Sequence, residues 1–275
     1  MSSALRPYRA ILSARFRMLL QYRAAAIAGL WTQAFFGITL IMIYSAFYHS
    51  SDTPPPIALP QVISYVWLGQ ALLAMLPWNA DAEVHDMVRS GSIAYELARP
   101  VDLYGLWYAR AVALRTAPTL LRAAPMVVVA SVVLPFVGAP EWRLAPPPSL
   151  TAAAGFAVAL GLALALGCAM SVLINISLMW TIRGDGVVTL FTTAVSLLSG
   201  LLIPLPLFPD WAQPVLAWLP FAGLFDLPFR IYTGHIALAG LAGVWLRQAG
   251  WTLALVVLGR WLLGRGVRRV VVQGG

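Results

Sequence analysis

The sequence contains no lysine: all 18 basic residues are arginine. A phosphate-binding loop of the GxxxxGK[ST] type needs a lysine to reach the nucleotide phosphates, so that mode of ATP binding is excluded. Only one cysteine occurs, Cys168, inside an apolar run. It rules out an intrachain disulfide and a thiolate-cluster metal site. The three histidines, His49, His85 and His235, fall in three separate loops, and no HxxxH, HExxH, CxxC or GxSxG spacing exists. Acid pairs within the apolar segments are absent as well, and an intramembrane enzyme needs such groups at membrane depth. The chain is therefore expected to have no catalytic residue, no metal ligand and no cofactor of its own.

Charge is also scarce. Asp, Glu and Arg make up 10% of the chain, 60% of it is hydrophobic, and the mean hydropathy is +0.81. No water-soluble surface is built from so few charges. The expected class is an all-α integral membrane protein, and 275 residues suit one domain of about six spans of ~20 apolar residues each. The net charge of +8 reads as a positive-inside bias rather than as a nucleic-acid footprint. Arginines run through the whole of the first segment, with no basic tip followed by an apolar core, so no cleavable signal peptide is expected.

What is present has a clear order. Residues 1–23 form an amphipathic pattern with Leu5, Tyr8, Leu12, Phe16 and Leu19 on one face. This predicts a cytoplasmic interface helix lying in the membrane surface, the alternative being an extension of the first span into the cytosol. Residues 24–264 form the membrane domain, with spans at about 24–48, 57–78, 104–137, 150–181, 186–203 and 243–264. Pro118 and Pro125 are expected to kink the third span. "RGD" at 183–185 makes a tight turn, and residues 265–275 form a tail. Most arginines outside the spans fall on the side shared by the N-terminal segment, the gap after span two, Arg183 and the tail. That side is expected to be cytoplasmic, with both termini inside.

The stretch "SGLLIPLPLFPDWAQPVLAWLPFAGLFDLPFRIYTG" before the last span is apolar yet holds six prolines, among them Pro204, Pro209 and Pro220. One continuous helix tolerates this poorly. One or two short re-entrant helices, covered by neighbouring protein, fit better. In the fourth segment Gly155, Ala159, Ala163, Gly167, Ser171 and Asn175 are spaced four apart. Such a stripe lets another helix approach closely, within the chain or in a dimer. In the third, Arg115 and Arg122 share one face. A charge at bilayer depth costs at least ~2.5 kcal/mol and so faces protein or a wet cavity. Arg110 is expected to snorkel at the inner interface, and Arg122 is the better candidate for a cavity or buried pair.

The gap after span two, "DAEVHDMVRSGSIAYELARPVD", holds five of the ten acids. Val84, Met87 and Val88 fit one face of a short helix, with Glu83, Asp86 and Arg89 around the rest. Gly91 ends it, and Ile93 and Leu97 begin an apolar side of a second turn that also carries Glu96 and Arg99. The pattern predicts a small amphipathic knob with its charges outward, suited to a soluble partner of complementary charge.

The run "SGSIAYELARPVDLYGLWYAR", the run "SGLLIPLPLFPDW…LPF" and the terminal "RGVRRVVVQGG" together resemble the membrane subunits of type-2 ABC exporters, in particular the six-span stand-alone permeases. The resemblance implies a coupling helix between spans two and three that includes Glu83, Val84, Asp86, Met87, Arg89, Gly91, Ile93, Glu96 and Arg99. It also implies two ATPase subunits that bind ATP and Mg, and a second permease chain, identical or homologous. The nearly bare spans suit an amphipathic or lipid-like cargo such as a drug, lipid or peptide. A non-ATP-driven channel or a membrane scaffold subunit is the competing class.

Overall fold

The computed structural model describes residues 5–51, 54–181 and 185–268, and every regular element among them is helical. In chain order these are α1 (Arg6–Leu19), α2 (Arg23–Ser50), α3 (Leu59–Leu72), α4 (Ala82–Ser90), α5 (Ile93–Leu97), α6 (Leu103–Val128), α7 (Leu134–Phe136), α8 (Leu150–Ser177), α9 (Asp185–Leu198), α10 (Gln213–Trp218), α11 (Asp226–Tyr232) and α12 (Leu241–Val267).

Four helical stretches are long and apolar enough to cross a membrane: Ala26–Ser50, Leu103–Phe136, Leu150–Ser177 and Leu238–Val267. The second and fifth expected spans are shorter, Leu59–Met75 and Gly186–Leu198. At 1.5 Å per residue they reach only roughly 25 and 20 Å. Local chemistry ends both. The backbone turns extended at Leu76, just before Pro77. After α9 the chain reverses at Gly200, whose φ of +83° favours glycine. The fifth helix thus stops at Leu198 rather than 203, and the fourth at Ser177 rather than 181.

The third span is one path from Leu103 to Phe136. Pro118 and Pro125 lie inside it, and a π turn covers Val129–Val133. Pro135 follows and has no N–H for the turn behind it. The backbone N–H of Leu144, from the next loop, donates to the carbonyl of Ala130 at 3.0 Å.

α8 is the central helix. It contributes to three apolar clusters: Ala163, Leu166 and Met170 to the first, Cys168, Val172 and Ile176 to the second, Ala159 to the third. Its small-residue stripe is buried within this chain. A Cβ at Gly155 would meet Leu241 and Ile231, and one at Gly167 would meet the carbonyl of Met75 at 3.4 Å. By contrast α2 and α12 turn Trp31, Phe35, Phe47, Leu246 and Leu253 outward. Such a rim suits lipid.

α1 packs on the first half of α6. The side chain of Tyr8 lies against Gly105, its hydroxyl accepts the N–H of Asp102 at 3.1 Å, and Ile11 joins the cluster of Trp107 and Leu103. Its apolar face therefore covers protein in part, where the sequence alone pointed to the membrane surface. The proline-rich segment folds as α10, α11 and two 3-10 turns, Leu205–Leu207 and Pro220–Gly223. α11 is buried against the core through Leu227, Phe229 and Ile231. Most of the "RGD" turn and the last seven residues of the tail lie outside the described residues.

Candidate functional site

The chain's charges concentrate where α4, α5, α1 and the start of α6 meet. Asp81 begins the site as the N-cap of α4. Its Oδ1 accepts the N–H of Glu83 at 3.0 Å, as a short acid side chain at that position is suited to do. Its own N–H donates to Asn175 Oδ1 on α8 at 2.9 Å. α4 ends at Gly91, whose φ of +73° closes the helix in the left-handed conformation. That reversal sends α5 back beside α4, so Val84 and Ile93 both reach 0% exposure against Leu103, Trp107 and Val172.

Arg110 is the hub. Its Nε donates to Asp81 Oδ2 at 3.2 Å, one terminal nitrogen to Glu83 Oε2 at 2.9 Å and the other to Glu96 Oε1 at 3.5 Å. Glu96 also accepts the indole N–H of Trp107 at 3.1 Å. The Arg110 side chain is only 5% exposed and that of Glu96 7%. Arg15 of α1 reaches Glu83 from outside. A buried guanidinium is stable only when its donors are paired with good geometry, and here three carboxylates supply the partners. The cluster therefore ties four elements into one unit.

Arg110 does not snorkel. It is buried and paired with Asp81, Glu83 and Glu96 instead. Nor are all the knob's charges outward, since Asp81 and Glu96 turn in. Val84, Ile93 and Glu96 are buried within this chain. What remains on the outer side is Asp86, Arg89, Arg99 and Tyr95, the last 77% exposed, with Leu97 39% exposed beside it. Met87 is half-buried.

Arg115 lies deeper on α6 and is buried. It donates to Ser171 Oγ at 3.3 Å and to the carbonyl of Asn79 at 3.1 Å. Ser171 and Asn175, from the small-residue stripe, thus serve this region as hydrogen-bonding partners. Arg122 packs on α2 instead. A Cβ at Gly29 would sit 2.8 Å from its guanidinium carbon, so a larger residue there would push the end of that side chain aside. Of the proline motif, Pro204 precedes the first 3-10 turn, Pro209 accepts the N–H of Ala212 at 2.8 Å, and Pro220 opens the second turn.

Sequence reasoning missed Asn79, Trp107, Tyr95 and Asp226. Asp226 is 1% exposed at the start of α11, where Oδ1 accepts the Leu205 N–H at 3.1 Å and the Tyr65 hydroxyl at 3.3 Å. Its spacing of four from Arg230 was the available signal. Trp107 and Asn79 carried none, because their partners come from other elements.

A search of curated proteins finds no match to this chain. A family model described as ABC-2 family transporter protein matches residues 34–274, from the middle of α2 into the tail. The match covers most of the chain, which also has four helices of membrane length, so the chain belongs to the ABC-2 family of transporter proteins and is a permease component of an ABC transporter.

Proposed function

We propose that the chain is the membrane-spanning half of an ATP-driven exporter, and that the outer side of α4 and α5 is where a separate ABC ATPase pushes. The observation that carries this reading is the Arg110 cluster. It makes the knob rigid with α1, α6 and α8, so a force on Tyr95 or Arg99 moves whole helices rather than a loop. The reading includes six crossings, with Leu59–Met75 and Gly186–Leu198 as the short ones, and both termini on the cytoplasmic side of the cell membrane. It also includes two ATPase subunits, which hold ATP and Mg, and a second permease chain.

ATP supplies the free-energy difference between two permease conformations, as any such switch requires. Closure of the ATPases displaces α4 and α5, and the cluster transmits this to α6 and to the central α8. The spans then open a path for an amphipathic or lipid-like cargo, in keeping with their apolar character. Tyr95 and Leu97 provide the exposed apolar anchor for the partner, and Asp86, Arg89 and Arg99 set its specificity.

The test is purification with the partner ATPase after gentle detergent extraction. Tyr95→Ala is expected to lower ATPase retention and transport while leaving the permease monodisperse. Normal retention and transport in that variant would refute the assignment of this surface.

A further inference from the structure

A groove lies between α1, α6 and the end of α12. It measures about 540 Å³. Its body is apolar, with Leu12, Val112 and Val256 among its walls. Arg9 and Arg260 stand at its edge, and an adjoining hollow of about 380 Å³ adds Arg268 and shares Arg260, Tyr104 and Asp102.

Three arginines and one carboxylate thus line the two hollows. That carboxylate is already engaged. Asp102 caps α6 by accepting the Gly105 N–H at 2.9 Å and pairs with Arg260 at 3.0 Å. Arg260 also lies over the Tyr104 ring at 5.1 Å, and Arg265 over Trp261 at 3.9 Å. Arginine with tyrosine and tryptophan at a helix end is the composition of the headgroup layer. An apolar slot with a net positive rim at that depth fits a molecule with an acyl chain and an anionic head.

We propose that this groove holds an anionic phospholipid of the surrounding leaflet, its acyl chain along α6 and its phosphate between Arg260 and Arg268, near Arg9. The occupant joins α1 to α12 across a gap that the described residues leave open. The phosphate hollow meets the surface assigned to the ATPase at Leu97, but the proposal does not depend on that assignment.

The test uses the purified full chain in mild detergent, titrated with phosphatidylglycerol or phosphatidylcholine of the same acyl chains, with retained lipid counted by native mass spectrometry. Phosphatidylglycerol is expected to be retained in preference. Arg260→Gln should weaken that retention about fivefold, the scale of one arginine near an anionic headgroup. Ala109→Trp, at a half-buried wall position, should displace the chain and lower retention of either lipid with no change in charge. Equal retention of the two lipids by the parent chain overturns the proposal. So does unchanged phosphatidylglycerol retention in a monodisperse Ala109→Trp. Displacement of the lipid by millimolar inorganic phosphate would point to a free-phosphate site instead, and also overturns it. Should Ala109→Trp not fold, a phosphatidylglycerol with a photoreactive acyl chain, used on the parent, must label α1, α6 or α12; labelling elsewhere refutes it.

Discussion

The two ends of the molecule solve one problem in opposite ways. Each carries short helices that do not cross the membrane and must be held against the central α8. At the arginine-rich end, α4 and α5 are held by ions, with Arg110 bound to Asp81, Glu83 and Glu96. At the other end, α10, α11 and the 3-10 turns are held mainly by side chains catching backbone, the charged Asp226 and Arg247 among them rather than gathered into one hub. Gln248 of α12 donates to the carbonyls of Ala159 and Gly223 at 2.9 and 2.8 Å, and Gln213 donates to that of Phe208 at 2.8 Å. In the proposed topology the difference follows from the surroundings. A segment that dips into hydrocarbon needs its backbone satisfied at little charge, whereas one at the water boundary can gather acids and arginine. It also predicts where the chain is rigid to a push: an ionic hub resists displacement of any single member, because each move leaves a charge unpaired.

Breaking the hub should have the largest effect. Arg110→Met leaves the carboxylates of Asp81 and Glu96 without their paired cation and Glu83 with Arg15 alone, and should cost about 3–5 kcal/mol, seen as loss of the monodisperse fraction and a lower unfolding temperature in detergent. Gly167→Leu tests the shared support, α8. The added side chain meets the carbonyl of Met75 and then Leu224, so overpacking of about 1–3 kcal/mol is expected from the same thermal unfolding measurement. Gly91→Val isolates the reversal between α4 and α5. Nothing lies within 4 Å of the added Cβ, so only the backbone cost at φ +73° remains, about 1–2 kcal/mol. At the opposite end Asp226→Asn keeps the Oδ1 acceptor for Leu205 and Tyr65 and gives up only the 3.6 Å pair with Arg230. Its cost should be about 1 kcal/mol, well below that of Arg110→Met. Equal losses from these two variants would erase the contrast. Tyr95→Ala should change stability least, within about 0.5 kcal/mol, since the residue is 77% exposed.

Much of the fold was legible because its signals are local. The long apolar runs, the glycine and proline breaks and the stripe through Gly167 are periodic or compositional, and each acts within its own segment. The knob was legible for the same reason: Val84, Met87, Gly91 and Ile93 describe its shape. Its inside and outside were not. Glu96 looks like a surface acid in the sequence, and only the return of α6 brings Arg110 and Trp107 over it. Tyr95, beside it, looks like a core aromatic and is exposed. Burial of a charge depends on which distant element supplies the counter-charge, and no spacing rule carries that. The short second and fifth helices were hidden by apolar residues that continue past the helix ends at Pro77 and Gly200.

The central claim is that the ATPase meets this chain on the outer side of α4 and α5. The most direct test is photocrosslinking in cells, with a photoreactive side chain in place of Tyr95, which is 77% exposed, and in place of Trp218, 70% exposed at the opposite end. The account predicts that position 95 captures a protein identified by mass spectrometry as an ABC ATPase and that position 218 does not. An ATPase captured equally at both positions, or at neither, would contradict it.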